Sequence, residues 1–102
     1  MEFSGFDWDE ANRAKCQKHG ASIAEIEDLF GRVVSVAPDT THSLHEERLK
    51  AIGVTKEGRA IFVAFTLRQR GEEALIRPVS ARYMHRKEVE FYEKETSDSD
   101  KR

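Results

Sequence analysis

Arg77-Pro-Val-Ser-Ala-Arg-Tyr-Met-His-Arg-Lys-Glu88 is the stretch on which the fold turns. Its first half is apolar enough to join a sheet, and its second half reads as the start of a helix. A strand running into a helix gathers Arg82, His85, Arg86 and Lys87 within about two helical turns. Cations then lie at one rim of a sheet. The spacing predicts a last strand over Ala74–Ala81 and a final helix from about Tyr83 to Glu95. Pro78 lacks a backbone donor, so it requires an edge position or a bulge.

Upstream of this stretch the periodicity is strand-like. Arg59 to Arg68 contains Ala-Ile-Phe-Val-Ala-Phe, the nearly continuous apolar run of a central strand covered on both faces. Lys56-Glu-Gly58 before it and Gln69–Glu73 after it are turn signals. Glu47–Val54 and the β-branched Arg32–Val36 read as two further strands, separated by a polar loop over Pro38–Ser43.

Ahead of the strands the period is helical. Asp7 and Glu10 have the spacing of a capping box, which predicts a helix over Trp8–Lys18 stopped by Gly20. Trp8 at its start reads as a core anchor. Ser22 and Glu25 form a second box, and Ile23, Ile26 and Phe30 mark an amphipathic helix ending before Gly31. Phe3–Asp7 reads as a short strand or an extended lead-in. The expected architecture is α+β: two N-terminal helices, an antiparallel sheet of about four strands, and one C-terminal helix. One domain over residues 1–95 and a polar tail over 96–102 are expected.

Composition narrows the function. Of 102 residues, 35% are charged and 38% hydrophobic, which suits a foldable, highly charged domain. One cysteine, Cys16, excludes an internal disulfide and a cysteine zinc cage. No stretch is long and apolar enough to span a membrane, and the N-terminus lacks a signal-peptide pattern, so a cytoplasmic location is expected. The net charge of −2 conceals a basic segment. Between Arg68 and Lys87 stand six arginines and lysines against Glu72 and Glu73. That asymmetry fits a polyanion site of limited extent, and it fits a solvated charged face as well.

Motifs for other chemistries are missing. His42 and His45 have no supporting Cys-x-x-Cys or His-Glu-x-x-His pattern, so no metal site is expected. Ser80 lacks a nucleophile elbow, Cys16 lacks an evident base, and no glycine-rich phosphate loop occurs. What remains is arginine. Arg48, Arg68, Arg77 and Arg82 come from different strands or strand ends, so they can converge. A guanidinium pairs bidentately with phosphate and stabilises the charge that builds on a five-coordinate phosphorus. RNA brings its own nucleophile, the 2′-OH. Glu47, His42 and His45 are the candidates for proton transfer. Taken singly, each arginine also suits a surface charge or a structural ion pair.

The ordered motifs resemble the BrnT toxins, members of the RelE-like superfamily of type II toxin–antitoxin systems, over Phe6–Glu93. The matching pieces are Phe6-Asp-Trp-Asp-Glu10, Lys18-His-Gly20, Asp39-Thr-Thr-His42, Glu46-Glu-Arg48, Phe65-Thr-Leu-Arg68, Arg77-Pro-Val-Ser-Ala-Arg82, Arg86-Lys-Glu88 and Tyr92. Pro78 and Tyr83-Met84-His85 depart from the family pattern. The resemblance implies a RelE-like fold and a metal-independent ribonuclease, with no cofactor, that inhibits translation and growth. It implies neutralisation by a BrnA-type antitoxin carrying a ribbon-helix-helix part, with operator DNA met mainly through that partner. Carried onto this chain, the catalytic candidates are Arg68, Arg77, Arg82, Glu47 and His42. Arg48, Ser80, Arg86 and Lys87 are candidates for RNA and phosphate binding. Ser80 is equally placed to cap the last helix, and Glu88 and Tyr92 are expected to hold that helix to the sheet. A non-catalytic binding module, or a basic face that docks an acidic partner peptide, stays open on the same residues.

Overall fold

The computed structural model describes residues 3–32, 35–39 and 47–91. Chain order is β1 (Gly5–Phe6), α1 (Glu10–Gln17), α2 (Ile23–Phe30), β2 (Ser35–Pro38), β3 (Leu49–Val54), β4 (Ala60–Arg70) and β5 (Glu73–Tyr83). Residues 86–91 are helical and are termed α3. The fold is α+β, with a five-stranded sheet in the order β1-β5-β4-β3-β2. The apolar run in β4 occupies the middle of that sheet, as its composition requires.

Several expectations need correction. The sheet has five strands and is mixed, because the lead-in pairs parallel to β5, Gly5 with Leu75 and Phe6 with Ile76. Pro38 belongs to β2, opposite Leu49, and not to a loop. The capping box of α1 uses Asp9 and Asn12, not Asp7 and Glu10: Asp9 Oδ1 accepts from the Asn12 N–H at 2.9 Å, and the Asp9 N–H donates to Asn12 Oδ1 at 2.7 Å. The Ser22–Glu25 box of α2 forms as read. Gly20 follows α1 at φ +98, a conformation that disfavours a side chain.

β5 also runs two residues further than its composition suggests, through Arg82 to Tyr83. The Tyr83 hydroxyl donates to Glu25 Oε1 at 2.6 Å, and the Arg59 guanidinium lies 3.5 Å from the centre of the Tyr83 ring. These contacts fix Tyr83 as the end of a strand, and the Met84 N–H continues the ladder to the Ala60 carbonyl. α3 therefore starts at residue 86, after His85, and Ser80 lies within β5 opposite Ala64. Ser80 is not a helix cap.

Pro78 sits at a bulge. The β4–β5 register shifts between Ala64 and Phe65, whose partners are Ser80 and Pro78, leaving Val79 over. β1 has ended by this point, so the missing Pro78 N–H leaves no β1 partner unpaired. Its carbonyl accepts from Asn12 Nδ2 at 2.8 Å.

The core lies between one sheet face and α1 and α2. Ile26, Leu29, Phe30, Ile61, Val63, Phe65, Ile76 and Ala81 are buried there. Phe30 meets Phe65 edge-to-face at 4.9 Å between ring centres, a favoured aromatic geometry. Trp8 packs against this cluster and donates to Glu27 at 2.9 Å. Cys16 is buried in the cluster, and burial pushes its thiol up to about 11, unsuited to nucleophilic work at neutral pH.

Candidate functional site

Strand alternation decides which side chains share the open face. Ile61, Val63 and Phe65 of β4 point to the helices, so Phe62, Ala64, Thr66 and Arg68 point away from them. Cross-strand partners lie on the same face. The β5 partners on the open face are therefore Arg82 (opposite Phe62), Ser80 (opposite Ala64) and Arg77 (opposite Thr66). The bulge at Val79 is what allows Arg77 and Ser80, three positions apart, to share that side. On β3, Lys50 pairs with Ala64 and Ile52 with Phe62, which adds both to the open face. Arg48 precedes β3 with the same parity, and its carbonyl accepts from the Asp39 N–H at 2.7 Å. The fold thus gathers Arg48, Arg68, Arg77, Ser80 and Arg82 on one side of the sheet.

Among the described residues, carboxylates hold Arg77 and Arg82. Arg77 Nη2 donates to Asp9 Oδ2 at 2.6 Å, and its Nη1 lies 3.6 Å from Asp7 Oδ2. The same Asp7 carboxylate takes Arg70 at 3.3 Å. The Asp9 carboxyl is held below its usual range, first by the Asn12 backbone N–H and then by Arg77. Arg82 makes a two-pronged pair with Glu88, Nη1 to Oε1 and Nη2 to Oε2, both at 2.8 Å. Its guanidinium also lies 5.1 Å from the centre of the Phe62 ring.

Glu88 does two jobs. Besides binding Arg82, its Oε1 accepts from the His85 N–H at 3.0 Å, which is half of a capping box at the start of α3. Arg82, and then the His85 N–H, hold its carboxyl down at about 2, against an ordinary 4.5. A depressed carboxyl contributes stability that is complete above the ordinary value and fades as pH falls toward 2. Wild type is thus expected to exceed Glu88→Gln in stability at pH 6 and to lose most of that advantage only as the pH nears 2. The pair is part-exposed, so the margin is about 1 kcal/mol, a thermal shift of several degrees. A margin that stays constant across this range would rule out the linkage.

The remaining candidates are more scattered. Arg86 is almost fully exposed and lies 3.6 Å from Glu90 along α3. Glu47 is exposed, one residue before Arg48. His42 and Tyr92 lie outside the described residues. Lys87 lines a groove of about 450 Å³ between the open face and α3, with Lys50, Ile52, Phe62, Arg82, Met84, Glu88 and Phe91. Sequence reading missed Lys50, although its parity with Arg48 on β3 would have found it. It also missed Asp7 and Asp9 as partners of Arg77. Thr66, directly opposite Arg77, is buried with a hydroxyl that has no hydrogen-bond partner among the described residues. Such an orphan costs about 1–3 kcal/mol, and in a native fold it calls for a strained or functional explanation. Among the described residues, no group of three or more His, Cys, Asp or Glu is arranged to hold a metal ion, and no helix is long and apolar enough to cross a membrane.

Fold and face together define a small α+β protein whose sheet is covered by helices on one side and carries arginines on the other. A family model described as the ribonuclease toxin BrnT of type II toxin–antitoxin systems matches residues 8–88. The chain belongs to this family of ribonuclease toxins, and membership implies an antitoxin as partner. No curated protein matches the chain.

Proposed function

We propose that this chain is a metal-independent endoribonuclease that acts with the open face of its sheet and so inhibits translation and growth. The observation that carries this reading is the register, which supports a common face for Arg48, Arg68, Arg77 and Arg82. In the reaction, the RNA 2′-oxygen attacks the neighbouring phosphorus and the 5′-oxygen leaves. The 2′-proton passes to a base and a proton reaches the leaving oxygen. Arg68, Arg77 and Arg82 are the candidates for stabilising the phosphorane, and Arg48, Ser80, Arg86 and Lys87 those for holding the strand. Glu47 and His42 are the candidates for proton transfer. Guanidinium groups meet developing phosphoryl charge without a metal ion. The partner is a BrnA-type antitoxin whose ribbon-helix-helix part supplies most of the contact to operator DNA.

Purified toxin, freed from its antitoxin, is expected to cleave RNA equally well with and without a chelator. Cleavage lost on chelation and restored by a divalent cation would end the metal-independent reading. One observation favours a second reading, a binding module: Asp9 and Glu88 already occupy Arg77 and Arg82. RNA retained but never cut in the same assay would select it.

A further inference from the structure

We propose that the groove between the open face and α3 is a subsite for one nucleotide of single-stranded RNA, with the base against Phe62, Met84 and Phe91 and the phosphate at Lys50, Arg82 and Lys87. This rests on the ribonuclease reading of the same face and goes further by placing a base. The groove's volume of about 450 Å³ falls within the roughly 300–1,000 Å³ of small-ligand sites. Its lining has the two components that bind single strands, cations for the backbone and aromatic faces for stacking. Among the described residues, three cations line it against one carboxylate, and that carboxylate, Glu88, is committed to Arg82 and the His85 N–H. Phe91 is 64% exposed at the groove, leaving most of its ring open to a base. The groove also adjoins the arginines, since Lys50 and Arg82 belong to the same face as Arg48 and Arg77. An acidic peptide would use the cations but would gain little from flat rings. The combination therefore favours a nucleotide.

The test uses the full chain and a fluorescent 2′-O-methyl RNA hexanucleotide, in which the nucleophile is blocked so that binding is read without cleavage. Phe91→Ala is expected to weaken binding about tenfold with thermal unfolding unchanged, because the ring is mostly exposed. Lys50→Ala is expected to weaken binding and to lower the salt dependence by about one phosphate contact. Wild-type affinity in both variants, with Arg68→Ala weakened, would overturn the subsite and leave the ribonuclease reading standing. No binding by wild type would overturn both. Displacement of the oligonucleotide by a short polyglutamate peptide, with peptide binding dependent on Phe91, would assign the groove to a protein partner instead.

Discussion

Arg82→Ala is expected to reduce RNA cleavage by about 10²–10³-fold and to abolish growth arrest, with the protein still folded. The size is that of removing one preorganised donor to a developing oxyanion. Folding survives because Arg82 points away from the core. Its contacts are the Phe62 ring and Glu88, and both side chains of the ion pair are at least one-third exposed. Losing it leaves a part-exposed carboxylate that water can solvate, at a cost of about 1 kcal/mol. Arg82→Lys separates charge from shape: it keeps the cation and loses the two-pronged fork, so it should recover only part of the activity. The measurement is growth after induction without antitoxin, alongside cleavage by purified protein. Arrest equal to wild type would remove Arg82 from the mechanism.

Asn12→Ala is expected to destabilise the protein by about 2–4 kcal/mol and to lower activity as well. Asn12 is buried, and its side chain makes three hydrogen bonds. Nδ2 donates to the Asp7 and Pro78 carbonyls at 3.0 and 2.8 Å, and Oδ1 accepts from the Asp9 N–H. Truncation orphans the Pro78 carbonyl at the bulge, where β1 no longer reaches; each such buried group costs about 1–3 kcal/mol. It also removes half of the box that starts α1, worth about 1 kcal/mol. Asp9, which binds Arg77, depends on the same box, so the loss reaches the open face. Denaturant unfolding gives the stability, and cleavage at a temperature where the variant is fully folded gives the second effect. A loss below about 1 kcal/mol would show that Asn12 is not the pin between α1 and β5.

Much of this architecture is legible in the residues. The β4 run announces a central strand because both of its faces are apolar. Ser22 and Glu25 announce α2 because capping is a local matter. Pro78 announces a bulge because a missing donor has few places to go. What stayed hidden depends on distance along the chain. A two-residue strand has no period, so β1 could not be told from a lead-in. Asn12 took the capping role because its amide also reaches Pro78, 66 residues away. β5 outran its expected end because Tyr83 is held by Glu25 from another element. The arginines were legible as a cluster and Glu88 as a tie between the last helix and the sheet, but the carboxylates holding Arg77 were not legible. Asp7, which has the spacing of a cap, and Asp9 show no sign of this role until the fold brings Arg77 against them.

The parallel β1–β5 pair also orders events in time. Gly5 and Phe6 are made some 70 residues ahead of Leu75 and Ile76, their partners. At about 5–20 residues per second, a nascent chain waits several seconds before that pairing is possible. Contacts of such long range close late, after local turns and helices. Asp7 and Asp9 meet Arg77 only when this closure is made. Until β5 has been made and paired with β1, a nascent chain therefore has no ordered Arg77 to present to the RNA around it.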